Sequence, residues 1–352
     1  MKSKIVFLLT IIFIASIIKI ITNSKNFVEN SYSRLIYKNI SGNINKATSL
    51  LPFSIAEILL FIFIIAILLF IILNIKNIIL MPNKLKSTFN FLYSLICILI
   101  IIYIVFMSVW GLNYYRLPLS ENYSYKKATT EDVYNLSEYM IKEINKIEAE
   151  MQYQNSITNY QAINRIVESE YNNIFNEFPF LNMKYSRTKP INISKIFLYL
   201  NITGIYSPFI SEANVNIKSP NITLPFIIAH EMAHQIGIAY EDEANFIAFL
   251  ATSQSEELFI KYSAYFEGLL YILYSLPRNE KYSYLISNLN ENTKNDIREY
   301  YNFWNQYQGK ASKVSAKVND TYLKANNQND GIKSYSRVVN LLVAYHKDKG
   351  II

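Results

Sequence analysis

The sequence predicts a membrane protein in two parts: three N-terminal transmembrane helices, then a mainly α (α+β) domain with a small sheet. Three observations carry this. Of the 352 residues, 51% are hydrophobic and only 17% charged, and the apolar ones crowd before about residue 112. Three stretches there reach the roughly 17–25 residues that a spanning helix needs. Beyond Arg116 the chain turns polar, with apolar residues recurring at helical spacing.

The first span is read as Ile5 to Ile21, IVFLLTIIFIASIIKII, with Lys19 close enough to its end to snorkel to the interface. The second runs from Ile55 to Leu73 and carries one acid, Glu57. The third runs from Phe89 to Leu112, and Trp110, Tyr114 and Tyr115 at its end predict an aromatic belt at headgroup depth. The Ile-Thr-Asn-Ser-Lys that follows the first apolar run is a poor cleavage site, which favours an uncleaved span over a signal peptide. The second and third runs are apolar all round, unlike the striped helices of a soluble bundle. Residues 1–115 are therefore expected to form the membrane region and residues 116–352 the domain. Lys2 and Lys4, with Lys76, Lys84 and Lys86 in the short second loop, outweigh the thinly spread Lys25, Arg34, Lys38 and Lys46 of the first loop. This bias predicts a cytoplasmic N-terminus and an extracytoplasmic domain.

The net charge of +7 is scattered, with no dense basic block, so the lipid bilayer is an expected partner and nucleic acid is not. A single cysteine, Cys97, excludes an intramolecular disulfide and a cysteine-built zinc knot. Any metal must be held by histidine and carboxylate.

In the domain, Thr129 with Glu131 and Asp132 reads as a helix start, and Val133, Leu136, Met140, Ile144 and Ile147 form its apolar stripe. A second helix is expected from Tyr160 to Phe175. Gly204 to Phe209 reads as a turn and Ile210 to Lys218 as a half-exposed strand, because Ala213, Val215 and Ile217 alternate with Asn214, Asn216 and Lys218. Ser219-Pro220-Asn221 turns the chain, Thr223 can cap, and Pro225 fits the first turn of a helix. The aromatic helices around Tyr262 to Leu276 and Ile297 to Tyr307 read as core, and His346, among lysines, as surface.

The helix after Pro225 reads IIAHEMAHQIG. Residues four apart share a helix face, so His230 and His234 can offer two imidazoles to one ion. Glu231 is rotated about 100° from His230 and comes to lie beside that ion. This is the H-E-x-x-H arrangement of zinc peptidases, in which a bound water ionises near neutral pH and the glutamate is general base. A third protein ligand is needed. Gly237 can end the helix with positive φ, and a second helix starting near Tyr240 would return a carboxylate. Glu241 is preferred and Glu243 is the alternative, because Asn245, one turn beyond Glu241, can orient a ligand histidine. Tyr240 at the place of a third histidine argues against the metzincin pattern. The expected cofactor is one Zn²⁺ per chain and the expected substrate a peptide or protein.

From Gly204 to Ala251, GIYSPFISEANVNIKSPNITLPFIIAHEMAHQIGIAYEDEANFIAFLA resembles domain-of-unknown-function family 3810, bacterial proteins combining three spans with a zinc-peptidase-like domain. Glu241 to Asn245 is similar to the E-x-x-A-D ligand motif of gluzincin-type membrane peptidases, with Asn245 in place of the aspartate. The resemblance implies a zincin-like domain and no defined substrate. It also implies an edge strand that pairs with substrate, for which Asn214 and Asn216 are candidates beside the plain reading of a sheet edge. Glu212 can support the site or stand solvated, and Tyr335 or Arg337 can polarise a scissile carbonyl. Two other functions remain open: a non-catalytic zinc-containing sensor or binding protein, and an intramembrane metalloprotease with Asp330 as third ligand.

Overall fold

A computed structural model describes residues 2–122, 127–151, 157, 159–331 and 337–351. Three helices long and apolar enough to cross a membrane, Lys2–Ile21, Ile55–Leu80 and Lys84–Val109, are followed by a mainly helical domain with a three-stranded sheet. The second and third spans run past the apolar runs through polar turns at the loop between them, while the third stops at Val109, short of the expected Leu112, which lies in a 3-10 turn, Gly111–Tyr115. Their side chains face outward, as Ile62, Leu68 and Ile72 do, which only lipid makes favourable.

The loop between the first two spans belongs to the body of the domain. It folds as a short helix Lys25–Phe27, a π-helix Val28–Tyr37 and a helix Lys38–Thr48. Glu29 in it is buried and takes Nε and Nη2 of Arg116 at 2.8 and 2.9 Å, while Nη1 of Arg116 donates to the Gly237 carbonyl at 3.1 Å. Burial pushes the Glu29 carboxyl up, but Arg116 and Arg34 more than offset this and hold it below the usual range. The second span is docked in the same way. Glu212 accepts the Ile55 and Ala56 amides at the start of that helix and pairs with Lys189 at 2.6 Å. Glu57, one turn inside, accepts the Asn192 and Ile193 amides. Glu212 is thus neither solvated nor in the metal cluster; it caps a spanning helix, where the helix dipole favours an anion.

Thr129 caps the helix Thr130–Met151 through reciprocal bonds with Asp132, and the stripe from Val133 to Ile147 is buried. The second helix covers Tyr160–Glu177. In the sheet, β1 (Lys189–Pro190) lies parallel to β3 (Glu212–Val215), and β2 (Gly204–Ser207) lies antiparallel to β3 on its other side. Two expectations change here. Gly204 to Ser207 is a strand, and the turn begins only at Pro208. Within the alternating segment Glu212–Val215 is the middle strand and is buried throughout, packed by the start of the second span and by the motif helix, while Ile217, expected inward, is exposed.

The helix Leu258–Ser275 is core, whereas Glu291–Asn305 packs on its edge: Ile297 and Tyr300 lie against the core, Phe303 and Trp304 are half-buried and Tyr301 is exposed. His346 is buried, not surface: its Nδ1 bonds the Leu342 carbonyl at 2.7 Å and its ring lies against Tyr139 and Phe249. Trp110 and Tyr114 likewise form no exposed belt; they are buried at the join between the third span and the domain.

Candidate metal centre

The motif helix, Leu224–Gln235, is apolar all round because it is the central helix of the domain. It packs on β3 and on the helices Tyr160–Glu177, Glu241–Ser253 and Leu258–Ser275, and every residue except His230 is buried. Pro225 occupies its first turn. The Thr223 hydroxyl does not cap it but donates to the Pro220 carbonyl, and the Phe226 amide is instead taken by Ser263 Oγ at 3.2 Å. The other end is clamped. Tyr37 donates to the Gln235 carbonyl, and Gln235 Nε2 donates to the Ser211 carbonyl at 2.9 Å. Gly237 then takes φ +95, with the Ile238 amide reaching back to the Ala233 carbonyl and the Gly237 amide to that of His234, a Schellman closure.

That closure returns the chain so that the helix Glu241–Ser253 lies against the motif helix. Nε2 of His230 and Nε2 of His234 are 3.1 Å apart, and Glu241 Oε2 lies 3.3 and 3.6 Å from them. The three offer lone pairs toward one point, which a shared proton or a cation lying between them can take up. A tetrahedral ion with bonds of about 2.0–2.1 Å places its ligand atoms about 3.3–3.4 Å apart. The three observed edges bracket that length, so the donor set fits a divalent ion of zinc's size and preference for nitrogen and oxygen. His234 donates from Nδ1 to the Ile238 carbonyl at 2.7 Å, the tautomer that leaves Nε2 free to ligate. Nδ1 of His230 is buried with no partner among the described residues.

Charges around the cluster are tightly coupled. Burial lifts the Glu231 carboxyl to about 7, countered by both histidines and reinforced by Glu241. Burial depresses His234, but the Glu241 carboxylate prevails and holds it at about 9. Burial acts on Glu241 too, yet the two imidazoles keep it well below the usual carboxylate range. Glu231 is placed by its neighbours: a methyl at Gly204 would stand 2.4 Å from its Oε1, so the bare backbone of β2 lies directly against the carboxylate. Tyr171 donates to the Ala229 carbonyl and braces the helix from behind.

The remaining sequence candidates lie elsewhere. Glu243 points away from the histidines and accepts the Leu119 amide at 2.6 Å. Asn245 is buried beside the core, its Nδ2 without a partner among the described residues, and it is the Ile238 carbonyl that orients a ligand histidine. Asn214 and Asn216 sit in or next to the middle strand, fully buried; Asn216 Nδ2 serves the Ser194 and Ile202 carbonyls, and among the described residues the edges of the sheet are β1 and β2. Arg337 is occupied by Asp242 at 3.1 Å and Asp330 at 2.7 Å, pinning the start of the Glu241 helix. Asp330 is half exposed in that pair and does not close the cluster. Tyr335 lies outside the described residues.

Sequence spacing missed several residues that form the site's walls. The Trp110 ring stands 6.3 Å from that of His234, edge to face, and 4.8 Å from Tyr206. Tyr114 and Tyr322 join phenols at 3.0 Å near Glu241, and burial, with that carboxylate's charge, raises Tyr322 to about 12. Gly204 was visible only as a turn residue. An aromatic at a span end and a glycine before an alternating run carry no local mark of a site.

The fold and the cluster define a three-span membrane protein whose domain carries a histidine–histidine–glutamate group able to hold a metal. The chain belongs to the family described as "Protein of unknown function (DUF3810)", whose model matches residues 32–343. That match starts inside the first loop, in keeping with the loop's place in the domain. No curated protein and no solved structure matches the chain.

Proposed function

We propose that the protein is a membrane-anchored zinc-dependent metallopeptidase holding one Zn²⁺ per chain, with its domain on the extracytoplasmic side. The observation that carries this reading is the convergence of His230, His234 and Glu241 on one tetrahedral corner set, with Glu231 held beside it and not among the ligands. Zinc, when bound, supplies a Lewis acid that makes water nucleophilic near neutral pH. Glu231 accepts the proton of the attacking water on its carboxylate and passes it to the leaving amine nitrogen as the peptide C–N bond breaks. A group that must both take and give a proton works best with a pKa near the working pH, and burial acts to raise that of Glu231. The free edge of β2 runs past Glu231 and suits an extended peptide added as a further strand.

The orientation rests on charge. The first loop and the domain are bonded to each other, so they share one side of the bilayer. Lys2, Lys4, Lys84 and Lys86 lie at the opposite helix ends, where positive residues favour the cytoplasm. The test is Glu231→Gln in the purified full chain, with metal content and digestion of a broad peptide library measured together. Retained zinc with hydrolysis reduced by a thousandfold or more supports the mechanism, and full activity overturns it. Zinc at one per chain in a wild type that cuts no peptide points to the non-catalytic sensor instead.

A further inference from the structure

The position of the cluster relative to the bilayer narrows the substrate, and this step rests on the peptidase reading. From Phe89 to Val109 the third span measures about 31 Å at 1.5 Å per residue, the thickness of the hydrocarbon layer. Val109 therefore stands at the layer's outer edge, with Trp110 at headgroup level but buried beneath the domain. Trp110 is in edge-to-face contact with His234, so the ligands lie one side chain above the lipid.

The edge strand β2 leads from that site down to the bilayer. Gly204 faces the Glu231 carboxylate, Tyr206 packs on Trp110, and Phe209 in the following turn meets Phe106, which is one turn inside the span. Among the described residues β2 pairs only with β3, so its outer edge is free to accept a strand. Ile205 and Phe209 expose large apolar side chains along this path, at 44% and 46%. From Gly204 to Ser207 the extended strand runs about 10 Å at roughly 3.3 Å per residue, and the turn after it reaches Phe106. Because Phe106 floors the path at acyl depth, the lower end meets protein side chains where a neighbouring spanning helix would pass. Confinement of both partners to one bilayer also raises their effective concentration without any new contact.

We propose that the substrate is a polypeptide anchored in the same membrane by a helical span and cut in its extended juxtamembrane segment, within about five to ten residues of the lipid. The test uses the full chain with zinc in liposomes and one susceptible peptide cassette presented four ways. These are on a model spanning helix with a spacer of about five residues, on the same helix with a spacer of about thirty, on a single acyl chain, and free in solution. Cutting of the short-spacer form at least tenfold faster than the free form, at positions near the lipid, supports the proposal. Equal rates for the free and anchored forms overturn it while leaving the peptidase reading intact, and equal rates for acyl and helical anchors overturn the helical anchor. If all four stay intact, the peptidase reading fails and takes this inference with it. A second readout needs no activity: Phe209→Cys in a Cys97→Ser background, labelled with a fluorophore, is expected to be quenched by lipids spin-labelled at the headgroup. An unquenched label removes the geometric basis.

Discussion

Replacing Gly204 with alanine should disable hydrolysis while leaving the metal in place. Its φ is not in the left-handed region, so an alanine backbone fits there without strain, and the whole effect comes from the added methyl. That methyl would lie 2.4 Å from Glu231 Oε1, 2.6 Å from Cγ and 2.7 Å from Cδ. Non-bonded carbon contacts settle at about 3.5–4.0 Å, so the carboxylate must retreat by about 1 Å. It is buried and enclosed, and it cannot do so without leaving its place beside the cluster. A displacement of about 1 Å in a reacting group costs about 10²-fold in rate, which is about 2.7 kcal/mol on the barrier. Initial rates on a peptide chosen from a library digest, with zinc measured by mass spectrometry on the same sample, test this. We expect kcat to fall about a hundredfold with zinc unchanged. The double variant Gly204→Ala/Glu231→Gln should be no slower than Glu231→Gln alone, because both changes remove the same contribution. An unchanged kcat, or zinc lost in step with activity, would refute the assignment of Gly204 as the support of Glu231.

Glu241→Gln should lower bound zinc steeply in equilibrium dialysis whereas Glu243→Gln should keep it, since only Glu241 approaches the histidines; the reverse result would move the third ligand. Arg116→Met leaves the buried Glu29 carboxylate with Arg34 as its remaining ion-pair partner and should cost up to about 3 kcal/mol, read as a lower denaturant midpoint in detergent; a shift within error would mean that the first loop is not held through this pair. Glu267 is raised by burial to about 8 from a reference of 4.5, so its neutral form is favoured in the folded state. The stability it contributes is full below about 4.5 and falls as pH rises to about 8. Glu267→Gln should therefore gain on wild type across that window, by as much as about 3–5 kcal/mol at its upper end, and parallel melting-temperature curves for the two would contradict the burial argument.

How much was legible follows from the range of each interaction. The three spans were readable because hydropathy is a property of a continuous run and the bilayer fixes its length. His230, Glu231 and His234 share one helix turn, so their relative placement follows from 3.6-residue geometry alone, and Gly237 announced the turn by its freedom to take positive φ. The preference for Glu241 over Glu243 was made from an expected hydrogen bond to Asn245 that the structure does not contain; the structure brings Glu241 to the histidines through the Schellman closure. Alternation between Ile210 and Lys218 marked a strand but not its neighbours, and with no view of β1 and β2 a middle strand looks like an edge.

By itself, then, the sequence determined the membrane spans, the paired histidines and the acid between them, all products of local periodicity. Only the tertiary structure decided that the first loop is stitched into the domain through Glu29 and Arg116, that Gly204 lies against Glu231, and that Trp110 at the end of the third span packs on His234. Those contacts join residues from 27 to 124 positions apart. They arise from packing and from the pairing of buried polar groups, and neither leaves a repeating mark along the chain.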